Sequence, residues 1–172
     1  MQNTNTLWAY VVYFYIYSAL GEIVETIFSV IYIGHFQIAD GFLFLPILPI
    51  YGFGALMAIW AKKQFHSAVW FTIVVTLQLA VLEFGAHWLI EHIFHIRIWD
   101  YSGTPFNIQG RISLVNTLGF LIGALSVVYL IHPFIKKYVA RITHPFLIST
   151  AIFILTVFAV DVVLSVASRL VV

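Results

Sequence analysis

The sequence has no cysteine, and charged residues make up only 9% of its 172 positions. Without cysteine there are no disulfides, no thiolate metal sites and no cysteine nucleophiles. The G-x-x-x-x-G-K-[ST] pattern that cradles nucleotide phosphates is also missing, so we expect no ATP hydrolysis by this chain. The net charge of +1 offers no basic surface for a nucleic acid.

Apolar residues are abundant: 62% of the chain is hydrophobic, and the mean hydropathy is +1.02. This composition is typical of an integral membrane protein. A spanning helix needs about 20 mainly apolar residues, and five segments qualify: Leu7–Tyr32, Phe42–Ala61, Ser67–His95, Ile112–His132 and Pro145–Leu170. We therefore predict an all-α, polytopic bundle of transmembrane helices that forms a single transmembrane domain over residues 1–172.

Lysine and arginine are divided unevenly between the two sides of this topology. The side of the N-terminus has five, at Lys62, Lys63, Lys136, Lys137 and Arg141, and the other side has three, at Arg97, Arg111 and Arg169. Cytoplasmic loops carry the excess of basic residues. The pattern predicts a multi-pass protein of the cell membrane with a cytoplasmic N-terminus and an external C-terminus.

Three acidic residues, Glu22, Glu83 and Asp161, lie near the middle of different apolar segments. A carboxylate at that depth costs at least ~2.5 kcal/mol, so such groups usually face the protein interior. Glu25 shares one helical face with Glu22. We predict that these four acids line one polar cavity, and the alternative is a seam of interhelical hydrogen bonds.

The second segment, GFLFLPILPIYGFGAL, contains Pro46, Pro49, Gly52 and Gly54. Proline removes backbone donors, and broken helices persist at membrane depth where other groups satisfy the freed backbone. Such segments often border binding sites in transporters. The sequence predicts a helix broken by proline and glycine, and a kinked but continuous helix is the alternative.

The third segment has Glu83, His87, Glu91 and His95 at spacings of four residues. Carboxylates and imidazoles at this spacing can share a metal or a proton. The order Glu91-His92-x-x-His95 differs from the H-E-x-x-H pattern of zinc proteases. We therefore predict no metal and no cofactor, with histidines hydrogen-bonded to acids or headgroups.

The following loop, IRIWDYSGTPFNIQGR, is the densest polar and aromatic stretch of the chain. Trp and Tyr suit the headgroup region, which favours an interfacial turn. The turn residues Ser102 to Pro105 also permit a lid folded over the helix ends, with Asp100, Asn107 and Arg111 as solute ligands. We predict that the external arginines are neutralised locally, Arg111 by Asp100 or by an acid at the end of helix 1 or helix 3.

The chain resembles the bacterial membrane family called Putative ABC-transporter type IV, or CmpB-like. The resemblance covers most of the chain and is carried by PIYGFG at 49–54 and WDYSGTPFNIQGR at 99–111, with support from Gly21, Glu25, Glu83, Glu91 and Asp161. It implies a permease-like role. The chain departs from the family pattern at Glu22, Asp40 and Ser113, where Trp, Arg and Cys are usual.

The function expected from these features is that of a small transporter-like or permease-like membrane protein rather than an enzyme. It would bind a small polar or cationic solute at Glu22, Glu25, Glu83, Glu91, Asp100, Asn107, Arg111 and Asp161. Its partners would be the lipid bilayer, a second copy of the chain, a partner membrane subunit or a separate ATPase. The alternatives are an intramembrane enzyme acting on a lipid or isoprenoid headgroup, with Glu83 or Glu91 as base and Arg111 holding phosphate, and a non-catalytic accessory subunit.

Overall fold

The computed structural model describes residues 6–33 and 41–170, and most of these residues are helical. The helices are α1 (Leu7–Ile33), α2 (Pro49–Gln64), α3 (Ala68–Phe94), α4 (Leu114–Ser126), α5 (His132–Val139) and α6 (His144–Leu170). The prediction of an all-α membrane protein is confirmed. Asp40, where the sequence departs from its family, lies outside the described residues.

Four of the described helical stretches are long and apolar enough to cross a membrane: Leu7–Ile31, Ala68–Phe94, Leu114–Val139 and His144–Leu170. Their bounds lie close to four of the five predicted segments. The remaining prediction, Phe42–Ala61, contains the 16-residue α2. A helix of that length rises about 24 Å, less than the hydrocarbon thickness of about 30 Å.

The predicted break is confirmed at its proline side, where residues 41–48 form no helix, whereas Gly52 and Gly54 lie within the continuous helix α2. Pro49 is the first residue of α2, a position at which the missing N–H costs nothing because a first-turn donor has no partner within the helix. The helix begins where proline is tolerated, and the preceding residues must satisfy their backbone groups elsewhere.

The fourth spanning helix continues past its predicted end at His132 through a π-helical turn, Val127–Ile131, into α5. The His132 N–H donates to the Val127 carbonyl, five residues back. A proline within a helix clashes with the carbonyl four residues before it, which for Pro133 is that of Tyr129. The wider turn accommodates Pro133 without ending the helix.

The loop between α3 and α4 holds a short antiparallel hairpin, β1 (Asn107–Ile108) with β2 (Ile112–Ser113), in which Asn107 is opposite Ser113. Gly110 in its turn has a positive φ of 69°, and a Cβ there would lie 2.6 Å from Asp100 Oδ1. Glycine is therefore required at this position. Ser113 then caps α4 by accepting a bond from the Asn116 N–H.

The helices divide into two compact units. The first contains the chain up to Phe53 together with residues from Phe134 onwards, and the second is Gly54–Pro133. In the first unit α1 packs on α6, and in the second α3 packs on α4. Many large apolar side chains on these helices are exposed, as expected where a helix faces lipid.

Candidate functional site

In the first unit, Asp161 of α6 binds the non-helical residues before α2. Its Oδ1 accepts a hydrogen bond from the Phe44 N–H at 3.1 Å, and its Oδ2 accepts one from the Leu45 N–H at 3.2 Å. Ser165 lies one turn further along α6, with its hydroxyl 3.4 Å from Oδ1. The buried carboxylate thus satisfies two backbone donors that the break leaves without helical partners.

Arg169, two turns further along α6 from Asp161, contacts the same segment. Its guanidinium carbon lies 4.5 Å from the centre of the Phe42 ring and 5.9 Å from that of Phe44. Nη1 also donates to the Ser165 carbonyl at 3.0 Å. The faces of these two rings stabilise the positive charge of Arg169, and its local neutralisation by an acid remains a prediction.

On the other side of the break, the Tyr51 hydroxyl donates to the Glu25 carboxylate of α1. Two glycines allow this close approach. A Cβ on Gly21 would overlap the Tyr51 ring, and a Cβ on Gly52 would lie 2.7 Å from the Phe14 carbonyl oxygen. The beginning of α2 is therefore packed directly against the polar face of α1.

Glu22 is also on that face and is only 6% exposed. The Thr26 hydroxyl donates to its Oε1 at 3.4 Å. Ser18, one turn earlier, donates to the Phe14 carbonyl at 2.8 Å. The α1 face thus combines hydrogen bonds within the helix with two acids one turn apart.

In the second unit, the end of α3 carries a group of charged residues centred on Glu91. Oε1 accepts from Arg97 Nε at 2.8 Å, while Oε2 lies 2.7 Å from Arg111 Nη2 and 2.9 Å from Arg111 Nε. Arg111 also bonds the Gln109 side-chain oxygen. The prediction that an acid at the end of helix 3 neutralises Arg111 is confirmed.

Asp100 lies on the exposed side of this group. It accepts bonds from the Ser102 hydroxyl at 2.5 Å and the Ser102 N–H at 2.9 Å, and its Oδ2 is 3.6 Å from Arg97 Nη1. The bonds from Ser102, followed by the charge of Arg97, hold the pKa of the Asp100 carboxyl below its ordinary value. The hydrogen bond to Glu91 raises the pKa of Arg97 above its ordinary value. Both groups are therefore ionised near neutral pH.

Trp99 connects the loop to α3 through hydrogen bonds. His87, which is fully buried, has Nε2 2.9 Å from the Trp99 carbonyl oxygen, and the indole N–H donates to the Arg111 carbonyl at 2.9 Å. The imidazole and indole ring centres are 5.0 Å apart. The loop is thus folded back over the end of α3.

Asn107, a predicted solute ligand, organises the loop itself. Its amide nitrogen donates to the Thr104 carbonyl at 2.8 Å and the Ser102 carbonyl at 3.2 Å, while its oxygen accepts the Gly110 N–H at 3.1 Å. Three of its hydrogen-bonding positions are therefore filled within the loop. Any contact with a solute would have to use its remaining lone pair or replace one of these bonds.

Three residues of the predicted stripe, Glu83, His87 and Glu91, lie on α3, whereas the fourth, His95, comes after the end of the helix. Glu83 and His87 are buried, and His87 Nδ1 lies 3.7 Å from Glu91 Oε2. His95 follows the helix in a left-handed conformation at φ 57°. Over residues 6–33 and 41–170 the structure brings no three His, Asp or Glu side chains together in a metal-binding arrangement.

The predicted ligands are divided between the two units. Glu22, Glu25 and Asp161 belong to the first, and Glu83, Glu91, Asp100, Asn107 and Arg111 to the second. Within its unit, Asp161 binds the broken segment and Glu25 binds Tyr51, while Glu91, Asp100 and Arg111 join in one charged group. The cavity lined by Glu22, Glu25, Glu83 and Asp161 remains a prediction.

Two participants were not singled out by the sequence. Tyr51 lies within the PIYGFG stretch but was not proposed as a partner of Glu25, and His87 was linked to acids rather than to Trp99. The nearby glycines, Gly21 and Gly52, are a usable signal for Tyr51, because small residues mark places where backbones approach closely.

The comparisons with known proteins place most of the chain in one family. The family model described as Putative ABC-transporter type IV matches residues 12–166. No curated protein and no solved structure matches the chain.

Proposed function

Because the chain belongs to the Putative ABC-transporter type IV family, we propose that it is a transporter-like membrane protein that binds a small polar or cationic solute. The observation that carries this proposal is the contact between Glu25 and Tyr51 beside the break before α2. It puts a carboxylate and a phenol together where the backbone of a membrane segment is irregular. Such breaks are common at the binding sites of transporters.

A cationic solute fits the acids of the first unit best. Glu22 and Glu25 share one face of α1, a helix that contains no lysine or arginine. Carboxylates removed from water are stabilised by a nearby positive charge. A solute carrying an amine or a metal cation would supply that charge, and the Tyr51 hydroxyl would orient it.

Asp161 has a different role in this proposal. Both of its oxygens accept backbone N–H groups, so it supports the broken segment. It thereby positions Tyr51, which follows that segment at the beginning of α2. We therefore assign Glu25 and Tyr51 to solute contact and Asp161 to positioning.

Transport driven by ATP would require another chain, since this sequence has no nucleotide-binding pattern. The described part of the chain has four helices long enough to span a membrane, which are few for a complete solute pathway. We propose that the chain works with a second copy of itself, a partner membrane subunit or a separate ATPase.

The proposal is tested with the purified full-length chain in proteoliposomes. Charge movement is recorded after rapid addition of sodium, potassium, choline or spermidine, and the melting temperature is measured with the same panel in detergent. We expect at least one cation to produce a signal that Glu25→Gln abolishes and Tyr51→Phe weakens. Tyr129→Phe, which removes a hydroxyl from an exposed ring, is the matched control and keeps the signal.

Loss of the signal in the control as well, or a signal unchanged by Glu25→Gln, would remove Glu25 from the site. No response to any member of the panel in either measurement would count against a cation-binding role. Turnover of an added lipid would favour the enzyme instead. The position of Glu91 does not support the enzyme alternative. Glu91 would have to break its ion pairs with Arg97 and Arg111 before it could act as a base.

A further inference from the structure

The turn between α5 and α6 carries exposed aromatic and basic side chains that the proposed function does not use. We call this surface the α5–α6 patch, and it consists of Phe134, Lys137, Tyr138, Arg141, His144 and Phe146. All six are exposed, with the three aromatic rings between 51% and 63% accessible. A surface that combines cations with open apolar rings is suited to a ligand that is both anionic and apolar.

The patch lies within a long stretch of the chain in which every Asp, Glu, Lys or Arg position is Lys or Arg. Residues 101–160 contain no Asp or Glu, and they include Lys136, Lys137 and Arg141. The nearest acid along the chain is Asp161, in the second half of α6, so neither α5 nor the turn contains an acid. An anionic partner would supply the missing charge.

The patch also has a defined position along the chain. One candidate span ends at Val139 and the next begins at His144, so the patch lies where two membrane helices meet the interface. Aromatic and basic residues at this depth contact lipid headgroups and the first part of the acyl chains. This placement favours a lipid over a soluble acidic protein.

Contacts within the patch restrain several of its side chains. The Phe134 and Tyr138 rings are 4.7 Å apart, and the Arg141 guanidinium lies 5.4 Å from the centre of the Tyr138 ring. The Arg141 N–H donates to the Tyr138 carbonyl at 3.0 Å, which holds the backbone of the turn. Prior ordering lowers the entropic cost of binding.

We propose that the α5–α6 patch is a binding site for an anionic phospholipid. The phosphate is held by Lys137 and Arg141, and the beginning of the acyl chains lies on Phe134 and Phe146. A guanidinium suits this role because its fork matches two phosphate oxygens. The proposal is independent of the solute site at Glu25.

The test is lipid titration of the delipidated full-length chain, followed by native mass spectrometry. Phosphatidylglycerol and phosphatidylcholine with the same acyl chains are compared, and we expect tighter binding of phosphatidylglycerol. Each cation near an anionic surface contributes about fivefold in affinity, so Lys137→Gln with Arg141→Gln should lower the affinity roughly 30-fold. Lys63→Gln, which removes an exposed cation from α2, is the control and should keep the preference.

Folding is checked for each variant by its melting temperature in a neutral detergent. If the double variant does not fold, the single variant Lys137→Gln replaces it, with an expected loss of about fivefold. Equal binding of the two lipids by the unchanged chain would overturn the proposal, as would full retention of phosphatidylglycerol by the variant or an equal loss in the Lys63 control.

Two further outcomes would assign the patch to another ligand and overturn the proposal. Displacement of the lipid by glycerol 3-phosphate at a comparable concentration would make it a site for soluble anions. Intact lipid binding by the double variant, together with loss of a soluble acidic partner protein, would make it a protein interface.

Discussion

Arg111 binds Glu91 through two nitrogens, with Nη2 at 2.7 Å and Nε at 2.9 Å from the same carboxylate oxygen. The pair connects the loop before α4 to the end of α3. Both side chains are largely shielded, at 15% and 23% exposure. The arrangement depends on the planar guanidinium, since an ammonium group has a single nitrogen and cannot bind the carboxylate through two donor atoms.

Replacing Arg111 with Lys should therefore lower stability by about 1 kcal/mol, because one of the two charge-assisted bonds is lost while the charge remains. The measurement is the melting temperature in detergent. Arg97→Lys is the control, and its more exposed side chain should make the loss smaller. Equal losses in the two variants would contradict a special role for the Arg111 fork.

Replacing Asp161 with Asn should leave one of the two backbone N–H groups, at Phe44 or Leu45, without a hydrogen-bond acceptor. The reason is that an amide offers only one oxygen. We expect a loss of roughly 1–3 kcal/mol for the unsatisfied group and faster hydrogen exchange at these two amides. Ser165→Ala is the control and should leave both exchange rates nearly unchanged. Unaltered exchange in Asp161→Asn would show that Asp161 does not support the broken segment.

Replacing Gly52 with Ala should destabilise the chain, because the added Cβ would lie 2.7 Å from both the Phe14 ring and its carbonyl oxygen. The expected loss is about 1–3 kcal/mol, typical of an overpacked contact. Gly85→Ala is the matched control, since no atom of the described residues lies within 4 Å of a Cβ there. Alanine at 85 should raise stability by up to about 1 kcal/mol through its helix propensity. The two melting temperatures should move in opposite directions.

The Asp100 carboxyl predicts a dependence of stability on pH. Its pKa in the folded chain is below the ordinary value of 3.8, so its contribution is fully present above that value and is lost as the pH falls through the folded pKa. In Asp100→Asn, the decrease of the melting temperature below about pH 4 should be smaller than in the unchanged chain. Identical pH curves for the two proteins would contradict the stabilising bonds from Ser102 and Arg97.

Hydropathy predicted most of the fold because a spanning helix must be long and apolar, and the bounds of α1, α3 and α6 agree closely with the prediction. The end of the fourth helix was placed too early, at His132, the residue before Pro133. The π-helical turn accommodates that proline, and nothing in the local sequence indicates that the helix will widen there rather than end.

Some contacts of the candidate site could be predicted from the sequence, and others could not. Glu91 and Arg111 could be paired because the chain between them is short and turns back on itself. The bonds of Asp161 to Phe44 and Leu45, and of Glu25 to Tyr51, join distant parts of the sequence. Such contacts depend on how helices pack, and a buried acid in a sequence does not reveal whether it meets a solute or a backbone N–H.

The bond between Leu45 and Asp161 also has a consequence for synthesis of the chain. The two residues are 116 positions apart, and chains are synthesised at about 5–20 residues per second. The segment before α2 therefore precedes its acceptor by roughly 6–23 s. During that interval its N–H groups must rely on water, on lipid headgroups or on an insertion factor, so the first unit can be completed only after the last helix has entered the membrane.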